Sequence, residues 1–195
     1  MANRVTLTAI LWIAVVLAGA VAIWLRVAPQ MQEAAASDIG QGDYRLETTT
    51  GETFTQASLE GAATAVFFGF THCPEICPTT LGDIVTWREE LGPAGEDLEV
   101  FFVTVDPERD TVEVLENYLS WAPGITGVTG SLEEVEKAAD AFRVYMAKVP
   151  LSGGDYTMDH STPVFLFDDK GRFTKPIGYQ EDFDVAMERL REILG

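Results

Sequence analysis

Two cysteines, Cys73 and Cys77, lie four residues apart in the stretch Phe68–Pro78, which reads FGFTHCPEICP. Here an apolar run gives way to a helical pattern, so we expect both thiols at the N-terminus of a helix, on the same side of one turn. That position favours the thiolate. Thiolates suit Cu(I) and zinc, and a neighbouring pair can also close to a disulfide. The pair therefore predicts metal binding or thiol redox chemistry.

Two thiolates leave a metal ion short of ligands, and the chain has 2 histidines. His160 stands in the run MDHSTP, directly before an apolar strand. If that strand pairs with the one that precedes Cys73, its start brings His160 to the thiols. We therefore predict a Cys2His metal site formed by Cys73, Cys77 and His160. Asp159 is expected to orient the histidine or to add a weak oxygen ligand.

Neighbouring donors are expected to lie outside this ligand set. The side chain of His72 should diverge from that of the adjacent cysteine in an extended segment, which leaves it exposed or behind the ligands. Met158 carries a soft thioether, but we expect it to pack in the core. A structural zinc site is disfavoured because the sequence does not supply four firm ligands.

The rest of the chain alternates strand and helix patterns. We predict a hairpin (Tyr44–Thr48 and Thr53–Thr55), buried strands (Ala63–Phe70 and Leu98–Val105) and a second hairpin (Pro163–Phe167 and Phe173–Tyr179). We predict helices over Thr79–Leu91 and Thr111–Trp121, one opened by a capping box at Ser131–Glu134, and a last one with Phe183, Met187, Leu190 and Leu194 inward. This order predicts an α/β fold with a mixed central sheet flanked by helices.

Residues 5–25 carry no charge and are long enough to cross the hydrocarbon core as a helix. We predict a cytoplasmic N-terminus (1–4), a transmembrane anchor (5–26), a linker (27–43) and one globular domain (44–195). Cleavage near the small residues 18–20 is the alternative. The acidic domain and the thiol pair favour a cytoplasmic N-terminus with the domain outside. The start is not Arg- and Ser-rich like a transit peptide, so we predict a bacterial inner membrane with the domain in the periplasm.

The charge of the chain is strongly negative. It has 31 Asp and Glu against 13 Lys and Arg, which gives a net charge of −18. Arg4 and Arg26 bracket the apolar segment, so the globular part is more acidic still. Such a surface repels phosphate backbones, which excludes nucleic acid as an expected partner.

Three motifs occur in a recognisable order. They are FGFTHCPEICP, then DPERDT at Asp106–Thr111, then Asp159 and His160 before an apolar strand. Together they resemble the Sco (SenC) family, whose members are membrane-anchored, copper-binding proteins that help to assemble cytochrome c oxidase. The resemblance extends from Tyr44 to the C-terminus and agrees with the predicted anchor.

The resemblance implies a thioredoxin-like fold. It also implies that Cys73, Cys77 and His160 bind Cu(I) or Cu(II), and that Asp106 shapes a loop beside the site rather than binding the metal. Pro163, just after the histidine motif, resembles the cis-proline that lies beside the reactive thiols of thioredoxins.

By this resemblance the chain is a copper chaperone rather than an enzyme. It is expected to deliver copper to the CuA site of cytochrome c oxidase subunit II, directly or with assembly factors. A disulfide between the two cysteines would abolish copper binding, so a periplasmic thiol reductant is a further expected partner. The alternative is a thiol–disulfide oxidoreductase that reduces the cysteines of the oxidase copper site or of other extracytoplasmic targets.

Overall fold

A computed structural model describes residues 12–13, 16–26 and 38–195. The first two segments are helical, and their large apolar side chains are exposed. Within the residues described, no helix is both long and apolar enough to cross a membrane. The predicted anchor, residues 5–26, lies partly outside the described residues, so it stays a prediction.

Residues 38–195 form one compact unit. Part of the predicted linker belongs to this unit, because the Gly40 N–H donates to the Ala141 carbonyl at 2.9 Å. The Tyr44 hydroxyl donates to the Gly40 carbonyl at 2.8 Å. Gly40 has a φ of 82°, and a Cβ there would lie 2.8 Å from the Leu59 side chain. A glycine is therefore needed where the chain enters the domain.

The strands are β1 (Leu46–Thr48), β2 (Thr53–Phe54), β3 (Thr64–Gly69), β4 (Glu99–Thr104), β5 (Ile125–Thr129), β6 (Met146–Pro150), β7 (Tyr156–His160), β8 (Val164–Phe167) and β9 (Phe173–Ile177). The helices are α1 (Ile76–Leu91), α2 (Pro93–Glu96), α3 (Val112–Leu119), α4 (Leu132–Phe142) and α5 (Phe183–Leu194). A short 3-10 turn covers Gln56–Leu59.

Seven strands form one mixed sheet in the order β2-β1-β5-β4-β3-β8-β9. The central strand β3 runs parallel to β4 and antiparallel to β8, and β4 runs parallel to β5. Strands β6 and β7 form a separate two-stranded antiparallel sheet. The predicted mixed sheet and both predicted hairpins are confirmed.

The core is rich in aromatic side chains that pack around the central strands. All six residues of β3 are buried, as its continuous apolar run predicts. The ring of Phe142 on α4 lies 5.0 Å from that of Phe68 and 5.8 Å from that of Phe165, both edge to face. Such contacts add to the free energy gained by burying the rings. They fix α4 against β3 and β8.

Several predicted details are wrong. Helix α1 begins at Ile76 rather than Thr79, because a proline in the first turn of a helix breaks no hydrogen bond. Phe183, predicted to face inward, is 43 % exposed. Helix α5 buries Ala186 and Ile193 as well as the predicted Met187 and Leu190. The inward face of α5 is therefore rotated from the prediction.

Two further local expectations change. Ser131 caps α4 by accepting the Glu134 N–H at 3.3 Å. The carboxylate of Glu134 accepts the Arg45 N–H at 2.7 Å instead of completing a capping box. No peptide bond in the described residues is cis, so Pro163 lacks the cis geometry suggested by its likeness to thioredoxins.

Candidate metal centre

The topology brings the cysteine and histidine motifs to one edge of the sheet. Strand β3 ends at Gly69, directly before the cysteine loop, and pairs there with the end of β4. Strand β8 runs the other way, and its first residue, Val164, pairs with Phe67. The segment before β8 carries His160, so it arrives where β3 ends. The predicted pairing of these two strands is confirmed.

The Cys77 thiol lies in the first turn of α1 and is fully buried. It packs against the backbone of β3, because a Cβ on Gly69 would lie 2.9 Å from Cys77 Sγ. The same Cβ would lie 2.5 Å from the Phe102 ring. Only a glycine fits there, and this close approach sets how near the sulfur comes to the end of β3.

The Cys73 thiol is half-buried and precedes the helix. Its Sγ accepts the Cys77 N–H at 3.3 Å, so it receives a hydrogen bond from the helix N-terminus. A hydrogen bond from the Cys77 thiol, with smaller contributions from His160 and from backbone N–H groups, lowers the pKa of Cys73 to about 4. The same hydrogen bond and burial raise the pKa of Cys77. Cys73 is therefore the thiolate of the pair, and Cys77 keeps its proton.

The His160 ring points towards the thiols. The Nδ1–H of the ring donates a hydrogen bond to the Ser161 carbonyl oxygen, with 2.8 Å between the nitrogen and the oxygen. The other ring nitrogen, Nε2, lies 3.9 Å from Cys77 Sγ. The ring of Phe70 meets it edge to face at 5.7 Å. Metal–sulfur and metal–nitrogen bonds of about 2.3 Å and about 2.0 Å together exceed this gap, so one ion can contact both atoms.

The three predicted ligands are neighbours, but they are not a finished metal site. Across the described parts of the chain, no group of three or more His, Cys, Asp or Glu side chains is arranged to hold a metal ion as it stands. The Cys73 sulfur is engaged with the helix N-terminus. Cys73 or His160 must therefore move for all three to reach one ion.

The neighbouring donors lie outside this cluster. Asp159 is exposed, and strand alternation turns its side chain to the face of β7 opposite that of His160. The Ser161 carbonyl, rather than Asp159, orients the imidazole. His72 is exposed, with its Nδ1 3.1 Å from Thr71 Oγ1. Met158 is buried in the core, as predicted.

The DPERDT loop supports the site with two buried carboxylates. Asp106 accepts hydrogen bonds from Arg109 Nε and from the Tyr156 hydroxyl, so it shapes the loop, as the resemblance implies. Asp110, which the sequence analysis missed, accepts the Thr71 N–H at 3.0 Å and the Thr71 hydroxyl at 2.6 Å. The Thr104 hydroxyl is a third donor, at 2.7 Å. Asp110 therefore ties the cysteine loop to the end of β4.

Iodoacetamide is expected to alkylate Cys73 of the reduced chain before Cys77. Because the pKa of Cys73 is about 4, its thiolate is complete above about pH 5, so the rate should be flat up to about pH 8 and should fall below about pH 4. An ordinary thiol, with a pKa of about 8.5, gains about tenfold per pH unit over this range. Peptide mass spectrometry separates the two cysteines, and an ordinary tenfold rise at Cys73 would contradict the assignment.

The mixed sheet and its strand order define a thioredoxin-like fold. In this chain a Cys-x3-Cys pair lies where the central strand meets the following helix, and a histidine lies opposite the thiols. A family model described as SCO1/SenC matches residues 32–195, and the chain belongs to this family. "Protein SCO1, mitochondrial" of Saccharomyces cerevisiae is 37% identical over 155 residues, which cover 77% of this chain and 52% of that protein. The chain thus spans about half the length of the curated relatives it matches first.

Solved structures agree with this assignment. The structure of Bradyrhizobium japonicum ScoI with copper bound is 38% identical, with a TM-score of 0.73, and the match covers 80% of this chain and 99% of that one. BsSco, described as a member of the Sco family of cytochrome c oxidase assembly proteins, is 22% identical with a TM-score of 0.60 over 80% of this chain and 98% of that one. At that identity, BsSco supports the fold alone.

Proposed function

We propose that this chain is a copper chaperone that helps to assemble the CuA centre of cytochrome c oxidase. The observation that carries the proposal is the 3.9 Å approach of Cys77 Sγ to His160 Nε2, with the Cys73 sulfur beside them. Two soft sulfurs and one imidazole suit copper better than magnesium or calcium. The copper-bound ScoI structure supports the same choice of metal.

The site is suited to a cargo that must leave again. Cys73 is half-buried, and His160 is also partly accessible. A partner thiolate can therefore approach from solvent and replace these ligands one at a time, while Cys77 stays buried at the base. The expected receiver is subunit II of the oxidase or one of its assembly factors. The acidic surface can steer a basic partner face, with an association rate that falls as salt rises.

The proposed location is an inner membrane, with the copper-binding domain in the periplasm. The uncharged run of residues 5–25 supports an anchor of one transmembrane helix. A periplasmic domain would meet oxidising conditions. An external thiol reductant would then be needed to keep both thiols available for copper.

Titration of the full-length reduced chain with Cu(I), in competition with a chelator, tests the proposal. We expect one Cu(I) per chain, and with Cu(II) a thiolate-to-copper charge-transfer band. His160→Ala should weaken Cu(I) binding by about ten- to hundredfold and remove the band, because an imidazole ligand is lost. His72→Ala is the matched control and should bind as the parent does. Equal affinities for the two variants would reject His160 as a ligand.

A second function is favoured by the unequal thiols. A half-buried thiolate at Cys73 and a buried thiol at Cys77 match an attacking and a resolving cysteine. The Cys73 thiolate would attack a target disulfide and release one target thiolate. Cys77 would then displace the second thiolate, leaving two reduced target cysteines and an oxidised Cys73–Cys77 pair. Copper-free reduction of a disulfide peptide at the rate of a thioredoxin would favour this function over the chaperone.

A further inference from the structure

We propose that the turn at residues 106–110 sets the position of His160 relative to the thiols, with Tyr156 and Arg109 as positioning residues. This inference rests on the proposed copper-binding function, because it concerns how that site is assembled. The turn contacts both the strand that ends at His160 and the loop that carries the cysteines. Neither positioning residue touches the thiols or the imidazole in the contacts of the described residues.

Asp106 and Arg109 of the turn hold the histidine strand. Strand β7 begins at Tyr156, whose hydroxyl donates to Asp106 Oδ1 at 2.7 Å. Arg109 Nη1 donates to the Tyr156 carbonyl at 3.0 Å, and the guanidinium carbon lies 3.8 Å from the centre of the Tyr156 ring. Arg109 also pairs with the buried Asp106. The hydroxyl, the ring and the backbone carbonyl of Tyr156 are thus all held by one turn.

Asp110, the last residue of the same turn, holds the cysteine loop. The carboxylate of Asp110 binds the Thr71 N–H and hydroxyl, two residues before Cys73. The turn itself is closed by the Asp110 N–H, which donates to the Asp106 carbonyl at 2.9 Å. Asp106 and Asp110 are 1 % and 0 % exposed. The two arms of the site are therefore fastened to one five-residue turn, whose two end residues are buried.

The histidine strand needs such fastening. β6 and β7 form a two-stranded sheet of their own, outside the seven-stranded sheet, and an isolated hairpin is marginally stable in water. An ion pair between Lys148 and Glu108 at 2.6 Å also joins the hairpin to the turn, but both partners are substantially exposed and contribute little. Burial and the bond to Asp106 raise the pKa of Tyr156 to about 12, so its hydroxyl remains a donor at neutral pH.

Tyr156→Phe tests the inference, because it removes only the hydroxyl that binds Asp106 and keeps the ring under Arg109. Tyr145→Phe is the matched control: Tyr145 directly precedes the same hairpin, is 60 % exposed, and its hydroxyl makes no hydrogen bond among the described residues. Both are made in the full-length chain, with and without His160→Ala. The Cu(I) dissociation constant is measured, as is amide hydrogen exchange over 156–160 in the copper-free protein.

With His160 present, Tyr156→Phe is expected to raise the Cu(I) dissociation constant about tenfold and to speed exchange over 156–160 about tenfold. In the His160→Ala chain it should change the constant less than about twofold, because the hydroxyl acts through the histidine. Tyr145→Phe should change neither quantity. An equal tenfold loss without His160, or exchange no faster than in the control, would overturn the inference.

The inference and the proposed function fail in different ways. If His160→Ala leaves Cu(I) binding unchanged, His160 is not a ligand and the proposed site is wrong. Faster exchange in Tyr156→Phe alone would then still support the turn as the anchor of the histidine strand. If His160→Ala weakens binding but Tyr156→Phe matches Tyr145→Phe in both measurements, the copper site stands and the inference is rejected.

Discussion

A chain in which Cys77 is replaced by serine is expected to bind Cu(I) about a thousandfold more weakly than the parent, a loss of about 4 kcal/mol. Cys77 Sγ is the proposed copper ligand that faces His160 Nε2, at a distance of 3.9 Å. The Cys77 N–H also donates a hydrogen bond to the Cys73 sulfur. A serine hydroxyl is a hard, protonated oxygen, which Cu(I) accepts poorly. The affinity is measured under anaerobic conditions by competition with a Cu(I) chelator of known strength.

Met158→Leu is the matched control for this experiment. It also removes a sulfur from the same region, but Met158 is buried in the core, and leucine has nearly the same volume. The control should bind Cu(I) as the parent does. If Cys77→Ser stays within about tenfold of the parent, Cys77 is not a ligand. A loss in Met158→Leu instead would point to a thioether ligand.

The fold, and the meeting of the cysteine and histidine motifs at one edge of the sheet, are the parts that the sequence predicts well. Strand β3 is buried throughout and β4 over most of its length, and both therefore appear as apolar runs. The cysteines and histidines are so few that the choice of donors is small. His160 could be linked to the thiols because one strand pairing, β3 with β8, is enough to bring it there.

The sequence does not predict the strands that lack an apolar pattern. β5, with the residues ITGVT, contains a glycine and two threonines. β7 (YTMDH) is mostly polar, β6 (MAKVP) is interrupted by a lysine and ends in a proline, and both strands are largely exposed or half-buried, so no continuous apolar run marks them. The pattern around His160 predicts only that it precedes an apolar strand, whereas it is also the last residue of β7. Its partner across the hairpin is Met146.

The supporting contacts depend on the tertiary structure alone. Asp110 binds Thr71 across 39 residues, and Tyr156 binds Asp106 across 50. Within the DPERDT motif all charged residues are equally plausible as surface groups. Only the folded chain shows that both aspartates are buried and that each holds a different arm of the site. Burial is decided by neighbours that are distant in the sequence, so local pattern cannot assign it.

Replacing Asp110 with alanine is expected to lower the free energy of unfolding by about 3–4 kcal/mol, because it leaves one buried and two half-buried donors without their acceptor. These donors are the Thr71 N–H and the hydroxyls of Thr71 and Thr104. Asp110→Asn keeps the shape and one acceptor oxygen, so we expect a loss of about half that size. Urea unfolding of the reduced, copper-free chain, followed by circular dichroism, measures both losses.

Asp140→Ala is the matched control for Asp110. Asp140 is an exposed carboxylate on α4, and its removal should change the unfolding free energy by about 0.5 kcal/mol or less. Since Thr71 lies two residues before Cys73, Asp110→Ala should also weaken Cu(I) binding, whereas Asp140→Ala should not. Equal stabilities for the two alanine variants would show that the carboxylate does not hold the cysteine loop. A large loss of stability with unchanged copper affinity would show that the loop keeps its shape without Asp110, and that the aspartate supports the fold rather than the site.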